Sequence, residues 1–229
     1  MGSLDDFRPY RIPPADQPLA GRTLLLVEDS RLASEAIRLL CRQSGGRLRR
    51  ADSLATAERH LRGYRPDVAV VDLHLPDGSG LDLIRRLDQA RPRIDVLLGL
   101  SGESGLAEAA LRAGADGFLP KPVGLAAFQA MVLSRLPADC QPGARRAVPA
   151  SDPPPDPTAL REDLAHAAHL LAQEEPPLDY VTRFLGGVAR GAGDRILANA
   201  ARAAHRGEGS AVAPLLRLVR DRLGDGPAL

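Results

Sequence analysis

The stretch Val68-Ala69-Val70-Val71-Asp72-Leu73-His74-Leu75-Pro76-Asp77-Gly78-Ser79-Gly80 carries a short apolar run to one carboxylate and then breaks. Small or β-branched apolar residues in an unbroken row suit a strand buried on both faces, as in a parallel sheet covered by helices. Pro76 and the Asp77-Gly78-Ser79-Gly80 cluster interrupt the backbone before Leu81 starts a new apolar pattern. Asp72 is therefore expected at the carboxyl edge of a sheet, where open α/β folds bind ligands. A lone carboxylate after a strand is more often a solvated loop residue or a helix cap, so its meaning depends on its companions.

Other apolar runs also end in chemistry. Leu24-Leu25-Leu26-Val27 runs into Glu28-Asp29, Val96-Leu97-Leu98-Gly99-Leu100 into Ser101-Gly102, and Gly117-Phe118-Leu119-Pro120 into Lys121-Pro122. Parallel strands joined by right-handed crossovers place all their carboxyl ends on one edge. Glu28, Asp29 and Asp72 would then meet Ser101 and Lys121 around one cleft. Crowded carboxylates repel unless a hard cation joins them, and an oxygen-only cluster suits Mg²⁺. Of the 30 residues that are Lys or Arg, Lys121 is the single lysine, so a compact ammonium stands where a forked guanidinium would not be equivalent. Taken singly, each residue has a plainer reading. Glu28 and Asp29 suit the N-terminal dipole of a helix starting near Ser30, Phe118 suits a core, and Ser101 and Lys121 suit loop ends.

Together, these motifs in this order resemble the receiver domain of two-component response regulators, from about Arg22 to Leu136. The resemblance implies that Asp72 accepts a phosphoryl group from a histidine kinase or phosphotransfer protein. It implies Mg²⁺ held directly by Asp29 and Asp72, by Glu28 through water, and by the main-chain carbonyl of His74. Ser101 and Lys121 correspond to the residues that contact the phosphoryl oxygens, and Phe118 to the aromatic switch position. His74 and Glu103 occupy the positions that flank the path of hydrolytic water. A bulky His74 is expected to slow loss of the phosphoryl group and Glu103 to assist it. The implied fold is a doubly wound, flavodoxin-like five-stranded parallel sheet of order 2-1-3-4-5, followed here by a small all-α domain. Phosphatases of the haloacid dehalogenase type also form an aspartyl phosphate after a strand. They place a second aspartate two residues on, where this chain has His74. No enzymatic activity is expected beyond uptake and loss of the chain's own phosphoryl group.

Residues 1–21 carry Pro9, Pro13, Pro14 and Pro18 without periodicity and are expected to form an extended arm. The alternation from Thr23 predicts strands at 23–27, 47–51, 68–72, 96–101 and 117–121. Helices are predicted over 31–43, from the Ser53 cap to about 61, and over 81–89, 105–113 and 125–136. Residues 137–157, with the run Asp152-Pro153-Pro154-Pro155-Asp156-Pro157, read as a semi-rigid linker. Residues 158–229 read as four short helices, punctuated by Gly186-Gly187, Gly191 and Gly193. Their apolar faces centre on Leu164, Phe184, Ile196-Leu197 and Leu215.

From Thr158 onward, nine arginines balance nine Asp plus Glu. No basic stripe marks a nucleic-acid surface, and nucleic acid is not expected as a partner. The helical region is expected to bind another protein or to form a homodimer, since roughly 65 residues is near the lower limit for an independent core. A DNA-binding output and a phosphotransfer-like domain using His166 or His169 are the alternatives. The apolar runs are too short to span a membrane, and Cys41 and Cys140 form no metal motif or disulfide framework. A cytoplasmic location is expected.

Overall fold

The computed structural model describes residues 13–137, 154–207 and 211–224. Residues 1–12 of the expected arm, the linker from 138 to 153 and Cys140 lie outside the described residues.

Strands β1 (Thr23–Val27), β2 (Arg47–Ala51), β3 (Val68–Asp72), β4 (Val96–Ser101) and β5 (Gly117–Pro120) form one parallel sheet. Its order, β2-β1-β3-β4-β5, is the one expected. Alternate residues of β1 explain the layering, because successive side chains of a strand point to opposite faces. Leu24 and Leu26 pack with Ile37 and Leu40 of α1 (Arg31–Gln43) and with Phe128 of α5 (Leu125–Leu133). Leu25 and Val27 pack with Ala57 of α2 (Leu54–Gly63), Ile84 of α3 (Gly80–Gln89) and Ala110 of α4 (Ala107–Arg112). The edge strand β2 exposes Arg47 and Arg49, charges that discourage further pairing.

The helix caps follow the sequence, with one addition. Ser53 accepts from Thr56 N, and the Asp77 carboxylate reaches across from the loop after β3 to accept from Leu54 N and Ala55 N at 2.9 and 3.0 Å.

Several expectations are corrected. The described part of the arm is not extended: it turns at 15–16 and 18–21 and seats Leu19, fully buried, in the core. An apolar side chain anchors what proline content had marked as a free segment. The helix expected at 105–113 opens as a 3-10 turn, Ser104–Leu106, consistent with the poor helix propensity of Gly105. The last receiver helix stops at Leu133 rather than Leu136. Leu83 joins Ile84 and Leu87 in the core, while Leu81 is only partly buried.

Beyond the linker, α6 (Pro157–Leu171), α7 (Leu178–Gly191), α8 (Arg195–His205) and α9 (Val212–Gly224) form the expected helical unit around Leu164, Leu185, Leu197, Leu215 and Val219. The linker ends one residue early, because Asp156 caps α6 and Pro157 is its first residue, where a missing N–H costs nothing. Gly186, Gly187 and Gly191 do not break the helix; α7 runs through them, and Gly193, with φ +71°, lies just beyond its end. Ile196 is 65% exposed, since the phase set by the Asp194 cap turns Leu197, Ala198, Ala201 and Ala204 inward. No described helix is long and apolar enough to cross a membrane.

The helical unit packs on the end of α1. Leu32, in the first turn of α1, is buried within the core of the helical unit rather than that of the sheet.

Candidate functional site

Strand register builds the site. Val27 pairs with Val71, Asp72 with Leu100, and Ser101 with Pro120. The next residues, Glu28 after β1 and Lys121 after β5, therefore reach the same edge as Asp72 and Ser101. Lys121 N donates to the Ser101 carbonyl at 2.8 Å and Glu28 N to Ala51 O at 2.8 Å, fixing both loops to the sheet end.

Lys121 Nζ donates to Asp72 Oδ2 at 2.9 Å and lies 2.6 Å from Glu28 Oε2. Glu28 is fully buried, and Lys121 is the positive charge that faces its carboxylate. Oxygens of Glu28, Asp29 and Asp72 all lie within 4.8 Å of one another. Burial pushes the Glu28 carboxyl well above its usual range, with Lys121 pulling it back and Asp72 and Asp29 adding to the rise. Burial opposes the Lys121 charge, but Asp72, Glu28 and Asp29 outweigh it and raise its pKa. An oxygen-only donor set of three clustered carboxylates fits a hard divalent cation.

The structure brings together the other residues expected here. Ser101 is buried, and its Oγ accepts from Glu103 N at 3.1 Å. His74 N approaches Asp72 Oδ1 at 3.3 Å. Phe118 is half-buried on the α4 side of the sheet, against the face of Gly99. His166 and His169 are exposed and do not line the cleft; His166 meets the edge of Phe184 with ring centroids 5.6 Å apart.

What sequence reading missed is that α7 lines the cleft and α6 braces the start of α1 beside it. Tyr180 Oη donates to Asp29 Oδ2 at 2.5 Å. Arg183 Nη1 reaches Glu103 Oε1 at 2.6 Å and His74 Nε2 at 3.2 Å, bridging the two positions assigned to the path of water. Asp163 of α6 accepts from Ser30 Oγ, Arg31 N and Leu32 N at 2.7, 2.7 and 3.0 Å, capping α1 from another part of the fold. Phe184, Gly187 and Arg190 complete the wall, and the enclosed space is about 40 Å³, room for two or three waters. The signal was present as a stripe: Tyr180, Arg183, Phe184, Gly187 and Gly191 recur at helical spacing. Mixing polar and glycine positions, it did not register as a packing face.

Residues 24–133 match the family model of the response regulator receiver domain. Over 107 residues the chain is 35% identical to the KDP operon transcriptional regulatory protein KdpE of Escherichia coli, covering 47% of this chain and 48% of that protein. Over 105 residues it is 39% identical to the photosynthetic apparatus regulatory protein RegA of Cereibacter sphaeroides, covering 45% and 56%. It is also similar to the solved receiver domain (CheY-like) from Methylobacillus flagellatus, with TM-score 0.45 and 28% identity over 49% of this chain and 97% of that one. The chain spans about half the length of the curated relatives it matches. Residues 24–133 of this chain form a response regulator receiver domain.

Proposed function

We propose that the chain is a cytoplasmic response regulator that takes a phosphoryl group onto Asp72 from a histidine kinase or phosphotransfer protein. Its helical unit is the output, acting through contact with another protein or a second copy. The observation that supports this best is Lys121 Nζ at 2.9 Å from Asp72 Oδ2, beside Glu28 and Asp29, at the carboxyl edge of a receiver sheet.

An Asp72 oxygen forms a bond to phosphorus as the bond from phosphorus to the donor's imidazole nitrogen breaks, the electron pair staying with that nitrogen. The protein supplies position and charge, and a carboxylate nucleophile needs no separate base. Asp29 and Asp72 would hold Mg²⁺, with Glu28 through water and the His74 carbonyl. Once bound, the ion neutralises charge on the transferred oxygens. Lys121 stays cationic against three carboxylates and balances the charge that arrives. Ser101 Oγ is placed to turn toward a phosphoryl oxygen, drawing its loop inward and making room for Phe118.

With Mg²⁺ and a small acyl phosphate, the full chain is expected to gain one phosphoryl group on Asp72, and Asp72→Asn to gain none. Mass spectrometry finding equal labelling in both would remove the assignment.

A second reading, a transcription regulator controlled by its receiver, is favoured by the similarity to KdpE, a transcriptional regulatory protein. That match covers the receiver and leaves the helical unit unmatched. DNA binding measured with and without phosphorylation separates the two readings.

A further inference from the structure

The cleft holds three cations, and they are not equally engaged. Lys121 is engaged by Asp72 and Glu28. Arg183 is engaged by Glu103 and Asp179 at 2.6 and 3.2 Å. Arg190 differs: its Nε is buried without a hydrogen-bond partner, and among the described residues it has no ion pair. Its guanidinium lies against Gly102, so closely that a Cβ there would stand 2.0 Å from Nη2. Gly102 follows Ser101, and both line the cleft with Asp72 and Lys121. A side chain at 102 would occupy the place the guanidinium now fills.

A partly buried cation without an ion pair carries a desolvation cost, and that cost is relieved when an anion arrives beside it. Burial and Arg202 already depress the Arg190 pKa, with only Glu103 opposing. The group able to supply the missing charge in this cleft is a phosphoryl group on Asp72, which turns one negative charge into about two. Its oxygens suit the planar fork of a guanidinium.

We propose that Arg190, carried by α7 outside the receiver domain, binds the phosphoryl group on Asp72, so that phosphorylation tightens the docking of the helical unit on the cleft. The inference rests on the proposed phosphorylation of Asp72. It adds an in-cis phosphoryl ligand to the residues of the receiver itself and makes the helical unit a reader of its own chain's phosphorylation. A cleft held shut by that contact also excludes hydrolytic water.

The test uses the full chain, labelled with a small acyl phosphate and Mg²⁺ for lifetime, and treated with beryllofluoride and Mg²⁺ as a stable phosphoryl mimic for amide hydrogen exchange. In the wild type, beryllofluoride should slow exchange across residues 178–191. Arg190→Gln should abolish that slowing and shorten the aspartyl phosphate lifetime about tenfold, and Arg190→Lys should restore part of both. Exchange in the untreated Gln variant should be no faster than in untreated wild type, which a merely structural role for Arg190 would not allow. A labelled Gln variant with unchanged lifetime would overturn the inference, as would faster exchange of 178–191 in treated wild type, the mark of release rather than capture. Failure of the wild type to label at Asp72 would instead remove the proposed function, and this inference with it.

Discussion

Asp29 shows how one carboxylate is shared between two parts of the fold. Its Oδ1 accepts from Ser30 N at 3.0 Å and its Oδ2 from Tyr180 at 2.5 Å. Burial raises the Asp29 pKa, while Lys121 and the Tyr180 hydrogen bond pull it down. Burial, reinforced by Asp29, pushes the Tyr180 phenol far above its ordinary range, so it remains a donor at any physiological pH. A cation seated on Asp29 competes for the same oxygen. Tyr180→Phe is therefore expected to tighten Mg²⁺ binding about fivefold, the value of one hydrogen bond near 1 kcal/mol. Calorimetric titration checks this, and weaker binding would mean that Tyr180 orients Asp29 for the ion instead. In the same titration Asp29→Ala should lose more affinity than Glu28→Ala, since the latter is assigned to act through water.

Helix α1 is the element on which the two parts of the chain meet. Its first turn leaves N–H groups without intrahelical partners. Ser30 satisfies Ala33 N, whereas Arg31 N and Leu32 N are satisfied by Asp163 from α6. The rim ion pairs matter less: Arg31–Glu162 spans 3.5 Å between two exposed side chains, a class contributing about 0–1 kcal/mol. Asp163 is 2% exposed, and breaking its contacts leaves buried donors unpaired. Asp163→Ala is expected to cost about 1–2 kcal/mol. Chemical denaturation measures the loss, and faster amide exchange at Arg31 and Leu32 locates it; unchanged exchange there would argue against the shared cap.

At the scale of the molecule, the helical unit packs against the receiver over the sheet edge that carries Asp72. Leu32 lies 4% exposed in the helical core, and Gly191 passes so close that its Cβ would sit 3.3 Å from Leu32 Cδ2. Asp72 is 5% exposed in a cleft that α7 lines, so the proposed phosphotransfer is expected to require the helical unit to lift. Leu32→Glu would bury an unpaired charge and should favour the lifted state. Labelling by phosphoramidate, a small donor with a phosphorus–nitrogen bond, is then expected to rise roughly tenfold as the competent fraction grows. An unchanged rate together with an increased radius of gyration in solution scattering would show that docking does not limit access.

The receiver was legible from sequence because its determinants are local and periodic. Val68–Val71 announces a doubly buried strand, Ile37, Leu40 and Cys41 a helix face, and the handedness of crossovers then forces Glu28, Asp29, Asp72, Ser101 and Lys121 onto one edge. The division of the tail into four helices was legible for the same reason. The docking was not. Asp163 reads as a polar residue in an amphipathic helix, and its role as a cap appears only when α1, more than 130 positions away, is brought against it. Tyr180, Arg183, Gly187 and Arg190 carry no shared hydrophobicity, so no periodic pattern marks the face they make. Apolar burial is nearly non-directional and leaves its trace in spacing along one segment. Hydrogen bonds and charge pairs between distant segments depend on relative position and orientation, which only the tertiary structure decides.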